Sequence, residues 1–344
     1  MSSIHTITKI KICCKLKKTD FYNIFLNLTL LLLTTALILL ILDPQKYISS
    51  INSGINLFFV SVFPSLLPFL FLSKIIDGLG GFRKIDKLMT PLTAKLYHCP
   101  SVANYPFIMS MVSGYPIGAK IVGELSSSRL LNSKEAKKVI ALSSTSGPIF
   151  VIGSVGANMI GSPFVGGLIF ISHILGSLIT ALFFTRNKKN TPASPESAPP
   201  VTQTSLLSSS TTSTISAILT VAVYVSIFYM FIDMAYSLGF LKFTTSIIGK
   251  FLTAIGVSPA LATGLSSGLI EMTRGCKEIA LLGSNLASLV CCTGLISFGG
   301  LSIILQSLTF LSGSDVKVSY FILLKIVQAI ISSLIAFAVG LIVL

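Results

Sequence analysis

Nineteen consecutive residues, from Ile24 to Leu42, carry no charge, and the run stops at Asp43-Pro44. At 1.5 Å per residue a helix of that length covers about 28 Å, close to the ~30 Å hydrocarbon core of a bilayer. The run is longer than a signal-peptide core and no small-x-small cleavage pattern follows it, so it reads as a retained anchor. Six further apolar runs follow, at about 51–73, 139–159, 164–184, 213–238, 285–309 and 319–343. With 52% apolar residues and a mean hydropathy of +0.88, the chain is no ordinary soluble domain. The predicted fold class is an all-α polytopic membrane protein with about seven transmembrane helices.

The net charge of +14 does not point to nucleic acid, because the cations lie between apolar runs rather than on one soluble face. They set topology instead. With residues 1–23 as a basic cytoplasmic tail, 19 of the Lys and Arg residues fall in cytoplasmic segments and five in external ones, as the positive-inside rule requires. This places the N-terminus in the cytoplasm and the C-terminus outside. Residues 24–44 form the first transmembrane helix. Residues 185–212, rich in Ser, Thr and Pro, read as a disordered cytoplasmic linker. The linker separates 45–184 from 213–344, and each of these halves contains three spans.

Each half also contains a segment too polar, or too broken by Gly and Pro, to cross as a lipid-facing helix: Pro100 to Lys120, and Ser258 to Arg274. The first has basic flanks on both sides, so both its ends lie on one face of the membrane. Such a re-entrant hairpin is tolerated only when it is buried in protein or lines a cavity. With opposite entry sides for the two hairpins, 45–184 and 213–344 become an inverted repeat. Phe69 to Gly80 and Phe228 to Gly239 share Phe, and Leu-Gly at the end, in support of duplication.

The two hairpins carry one charge pattern: Ser113-Gly114 with Lys120 and Glu124, and Ser267-Gly268 with Arg274 and Glu278. Charged residues make up only 10% of the chain, so a repeated cation inside apolar sequence points to a duplicated polar site. In the first copy Ser113 can cap, Pro116 can sit in a first helical turn, and Gly114 and Gly118 let backbone approach a ligand. A half-helix N-terminus there, with Lys120 one turn on, would favour a carboxylate. The alternative is that Lys120–Glu124 and Arg274–Glu278 are ordinary ion pairs along a helix surface, and for the two Glu that alternative is preferred. Two further polar breaks interrupt spans, at Ser143 to Pro148 and at Thr293, Gly294, Ser297 and Gly299-Gly300. Freed carbonyls and hydroxyls there can line a substrate path, or the small residues can permit tight helix packing, and a break at the same place in both halves favours the path. His173 reads as a packed residue hydrogen-bonded to a neighbouring helix rather than a proton carrier.

The candidate substrate-binding residues are thus Ser113, Gly114, Tyr115, Gly118 and Lys120 from the first hairpin, and Thr145 and Ser146 from the first break. Gly268, Glu271, Thr273 and Arg274 come from the second hairpin and Thr293 from the second break. No catalytic or metal-binding residues are expected. There is no P-loop, GxSxG or HExxH, and the six cysteines form no C-x-x-C pair, so an enzyme is not predicted. No cofactor is implied, and the coupling ion and oligomeric state stay open.

At Ser113 to Lys120 and Gly268 to Cys276 the chain resembles the sporulation integral membrane protein family of the YlbJ type, with Gate-type nucleoside-recognition repeats. Phe63 to Phe69 and Thr145 to Gly156 also look like family segments, and the resemblance covers most of residues 50–340. The family is similar to the core of concentrative nucleoside transporters and includes a stage V protein taken to move dipicolinic acid. The resemblance therefore implies transport of a small organic anion, dipicolinate, across the outer forespore membrane of a sporulating bacterium, by alternating access. The lipid bilayer is then a partner and nucleic acid is not. A cation-coupled nucleoside transporter and a non-transporting sporulation scaffold are the alternatives.

Overall fold

The computed structural model describes residues 26–79, 82–185 and 203–344, and every regular element among them is helical. The basic tail at 1–23 and residues 186–202 of the linker lie outside the described residues. The described residues up to Ser50 form one unit. It holds α1 (Leu26–Leu42) and the start of α2 (Pro44–Leu57). Leu30, Leu31, Leu32 and Leu33 of α1 are all exposed, as expected of a helix that meets lipid.

The second unit runs from Ile51 to Leu344. Its helices are the rest of α2, α3 (Phe63–Gly78), α4 (Phe82–Leu96), α5 (Asn104–Ser113), α6 (Ile117–Ser127), α7 (Ser133–Leu142) and α8 (Pro163–Thr185). After the linker come α9 (Gln203–Ser237), α10 (Phe240–Ala254), α11 (Leu261–Ile270), α12 (Met272–Ala280), α13 (Leu286–Phe298), α14 (Gly300–Phe310) and α15 (Val318–Val343). A π-helix over Ile149–Ile160 follows the break after α7. Four stretches are long and apolar enough to cross a membrane, namely Pro163–Thr185, Leu206–Ser237, Leu286–Gly313 and Val318–Val343. Leu26–Leu42 with Pro44–Val62 makes a fifth if the two count as one span. The remaining expected spans, 51–73 and 139–159, are divided among shorter helices. In the second of these the chain leaves the helix at Ser143 and resumes at Pro148.

Residues 203–212, which composition assigned to the linker, belong to α9. Their Ser and Thr side chains fit within the helix, and three of them bond back to carbonyls three or four residues earlier, Ser209 to Leu206 at 3.0 Å among them. Thr211 to Leu207 is 2.8 Å and Thr212 to Ser208 is 3.0 Å.

The helices are inside-out relative to a soluble bundle. On α15, Leu323, Ile326, Ile330, Leu334, Phe337 and Leu341 are 42–63% exposed, whereas Lys325, Gln328 and Ser332 on the opposite stripe are buried. Water would favour the reverse, and lipid favours this. The inner stripe of α15 packs on α8 and α13. Apolar packing surrounds this trio. One cluster includes Met109, Val151, Ile169, Leu289 and Ile296, and a second joins Val139, Ile140 and Leu142 of α7 to Phe321 and Leu324 of α15.

Candidate functional site

Both polar segments fold as helical hairpins, α5–α6 and α11–α12, but their turns differ. The first uses Gly114-Tyr115-Pro116, with Gly114 at φ 77°, and its Tyr115–Pro116 peptide is cis. The second turns on Glu271 alone, in an extended conformation. Ser113-Gly114 therefore sits at a hairpin tip, whereas Ser267-Gly268 lies inside α11, close to its end at Ile270. The repeated Ser-Gly motif does not mark equivalent places, because one turn consumes three residues and the other one.

The capping expectation changes with it. Ser113 ends α5, and no side chain caps α6. The Ser113 hydroxyl instead pairs with that of Ser73, 3.2 Å away. At the second hairpin the chain caps itself. The Glu271 carboxylate accepts from the Arg274 N–H at 2.8 Å and from the Thr273 hydroxyl at 2.9 Å. The N-terminus of α12 is thus already occupied by an anion, and of the two hairpins only the first keeps an uncapped one, at α6.

Each hairpin lies against the backbone break of a following helix. A Cβ on Gly114 would come within 2.4 Å of the Gly147 nitrogen, and one on Gly118 within 1.9 Å of the Ser143 carbonyl oxygen. A Cβ on Gly300, at φ 68°, would fall 2.8 Å from the Gly268 carbonyl oxygen and 3.0 Å from that of Ile270. Gly268 itself packs on Leu295, and Gly275 on Gly268. Backbone contact this close requires glycine.

Where the tips meet there is a cavity of about 30 Å³, room for about two waters. Six predicted residues line it: Ser113, Gly114, Tyr115, Ser146, Glu271 and Thr273. Gly118 and Gly268 are packing positions. Thr145 is buried close by in sequence, with its hydroxyl unpartnered, as are the hydroxyls of Ser143 and Ser267. Thr293 bonds back to the Leu289 carbonyl at 2.7 Å and stays in α13.

Neither predicted cation lines the cavity. Lys120 is half-buried on α6 and, among the described residues, makes no ion pair with Glu124. Arg274 is held by two carboxylates, Asp233 at 2.7 Å and Glu278 at 2.9 Å, and its guanidinium lies 4.9 Å from the centre of the Tyr229 ring. The Arg274–Glu278 pair expected along the helix is present, and Asp233 completes it.

The cation nearest in connectivity is one the motifs did not reveal. Lys325 on α15 is 0% exposed, and its Nζ donates to the Tyr115 hydroxyl at 2.5 Å and to Gln328 Oε1 at 2.9 Å. The Ser144 carbonyl, freed by the break, accepts from Tyr115 at 3.2 Å and from Gln328 Nε2 at 3.1 Å. Next to it, His173 Nε2 accepts the Ser146 N–H at 2.8 Å, and Nδ1 lies 2.8 Å from the Ser297 hydroxyl. A ring nitrogen that accepts a backbone N–H carries no proton, so this imidazole is the neutral Nδ1–H tautomer. His173 is the packed, helix-bridging residue the sequence suggested.

No protein-family model matches the chain. Over 310 residues the chain is 26% identical to "Sporulation integral membrane protein YlbJ" of Bacillus subtilis (strain 168), covering 83% of this chain and 76% of that one. The resemblance to the YlbJ type read from the motifs therefore holds across most of the sequence. In fold the chain is similar to a solved structure of a CNTnw point variant in the intermediate 1 state, at a TM-score of 0.50 and 11% identity, over 86% of this chain and 84% of that chain.

Proposed function

We propose that this membrane protein is a transporter that carries a small organic anion, dipicolinate, across the outer forespore membrane by alternating access. One observation carries the reading: two helical hairpins and a helix break converge on a small cavity among membrane-length helices, where Ser113, Tyr115, Ser146, Glu271 and Thr273 face apolar residues such as Val62, Phe150 and Ile303. Paired broken elements that meet at one small polar space are the usual construction of a secondary-transporter site. The sequence likeness to a sporulation membrane protein and the fold likeness to CNTnw both favour this reading. The two hairpins with their abutting breaks are read as the cores of an inverted repeat. The cavity has room for about two waters, so a substrate the size of dipicolinate would need the hairpin tips to move apart.

A second reading has its own observation. Glu271 brings a buried carboxylate to the cavity wall, and a carboxylate suits a substrate with hydroxyl donors, such as a nucleoside. Purified protein in liposomes, offered labelled dipicolinate against uridine with and without proton and sodium gradients, decides between them. Flux of dipicolinate but not uridine supports the anion, the reverse supports the nucleoside, and flux of neither supports a non-transporting scaffold.

A further inference from the structure

The transport reading leaves unanswered what would make the cavity accept an anion, because Arg274 is neutralised by two carboxylates and Lys120 lies elsewhere on α6. We propose that Lys325, acting through Tyr115, is the residue that sets the charge selectivity of this cavity. The inference rests on the transport reading and names the specificity determinant of the same site.

Three observations converge on it. Lys325 lies about two turns into α15, roughly 10 Å along the helix axis, and is completely buried. Its partners are neutral oxygens: Tyr115 Oη, Gln328 Oε1, and at 3.5 Å the carbonyl and hydroxyl of Ser144. Acceptors on several sides suit the three N–H groups of an ammonium, and Tyr115 can accept because its own proton is directed to the Ser144 carbonyl. Among the described residues no carboxylate lies within ion-pair distance of it, so an ammonium here is hydrogen-bonded but lacks a protein counter-charge, and a bound anion would favour it.

The third observation is the coupling to the cavity. Tyr115 is a wall residue, and Nζ sits 4.4 Å from the centre of its ring as well as on its hydroxyl. In its ammonium form Lys325 sets a positive charge one side chain behind the wall, and in packed protein that field reaches the cavity far more strongly than it would through solvent. Glu271 also lines the cavity, with each oxygen accepting one hydrogen bond at the start of α12, whose N-terminal dipole offsets part of its charge. An anion bound against Tyr115 would supply the counter-charge that the fold omits.

The test compares wild type with Lys325→Met and Lys325→Arg in proteoliposomes, by counterflow of labelled dipicolinate and of uridine, with unfolding temperature in detergent as a control for folding. The expected result is a loss of dipicolinate counterflow of about tenfold or more in Lys325→Met at an unfolding temperature near that of wild type, and partial retention in Lys325→Arg. If Lys325→Met does not fold, Tyr115→Phe keeps the ring and removes the hydroxyl link, and should lower dipicolinate counterflow selectively. Dipicolinate counterflow at wild-type level in the folded Met variant overturns this inference and leaves the transport reading standing. So does a loss of dipicolinate counterflow that Lys325→Arg shares in full and that follows a lowered unfolding temperature, which marks a structural lysine. A wild type that moves uridine but not dipicolinate, or neither, overturns the anion reading and this inference together.

Discussion

Lys325 and Tyr115, 210 positions apart in sequence, meet with Nζ on the phenol oxygen and 4.4 Å from the ring centre. The contact ties the tip of one hairpin to the last helix of the chain. It also passes through Gln328, which touches both Lys325 and the Ser144 carbonyl. We therefore expect Gln328→Leu to leave a buried ammonium and a buried carbonyl each short of a partner, lowering stability by about 1–3 kcal/mol. Thermal unfolding in detergent checks this. An unchanged melting temperature would mean that the amide contributes nothing to the network.

Glu271 is the self-made cap of α12, and Glu271→Ala removes it. The predicted loss is about 0.5–2 kcal/mol of hairpin stability. Glu271→Gln keeps an acceptor oxygen and should lose less. If the nucleoside reading holds, uridine counterflow falls in both variants by more than stability accounts for. If it does not, flux follows unfolding temperature alone.

Gly114 combines a left-handed φ of 77° with contact against Gly147, and either feature excludes a side chain. Gly114→Ala is predicted to cost about 1–3 kcal/mol and to abolish transport. Gly167→Ala is the control, because no atom lies within 4 Å of the Cβ it would gain and its φ is not positive. Equal flux from the two variants would argue against a close-packed tip.

Removing the Arg274 side chain leaves Asp233 and Glu278 without their shared cation, and the three side chains are 18–27% exposed. Solvent screening keeps the expected destabilisation of Arg274→Met to about 1 kcal/mol. Adding Asp233→Asn to that variant should recover part of the loss. Strict additivity of the two changes, read by unfolding, would rule out the coupling.

Topology gives an independent check. Reporter tags placed within 186–202 are predicted to be cytoplasmic, and a tag after Leu344 external. Both on the same side would be incompatible with the inverted repeat.

Much of the architecture was legible in the residues because lipid permits so few alternatives. The long helices α8, α9 and α15 cover the apolar runs at 164–184, 213–238 and 319–343, and the polar breaks at Ser143 to Pro148 and Gly299-Gly300 interrupt helices where Gly, Ser and Pro cluster. Both hairpins formed as well. Their register did not follow from the motifs, since a Ser-Gly pair makes a turn only when the surrounding packing asks for one, and at Ser267-Gly268 Leu295 and Gly275 accept a straight helix. The central cation was missed for a related reason. A single lysine in an apolar run carries no local signal of its partners, and Tyr115 and Ser144 come from the other half of the chain. Lys120 and Arg274 stood out by repetition, yet repetition of a charge does not place it at a cavity.

The contact of Gly114 with Gly147 has a consequence for speed as well as shape. Two bare stretches of backbone meet there, with no interlocked side chains that must change rotamer before the surfaces separate. Gly268 and Gly275 bring the two arms of the second hairpin together in the same way. We expect the first tip to lift with little frictional resistance, so that the rate of opening is set by the polar links of Tyr115 and Ser113 rather than by packing. Single-molecule distance measurements across the first tip, in Tyr115→Phe and in wild type, would register this as faster opening in the variant.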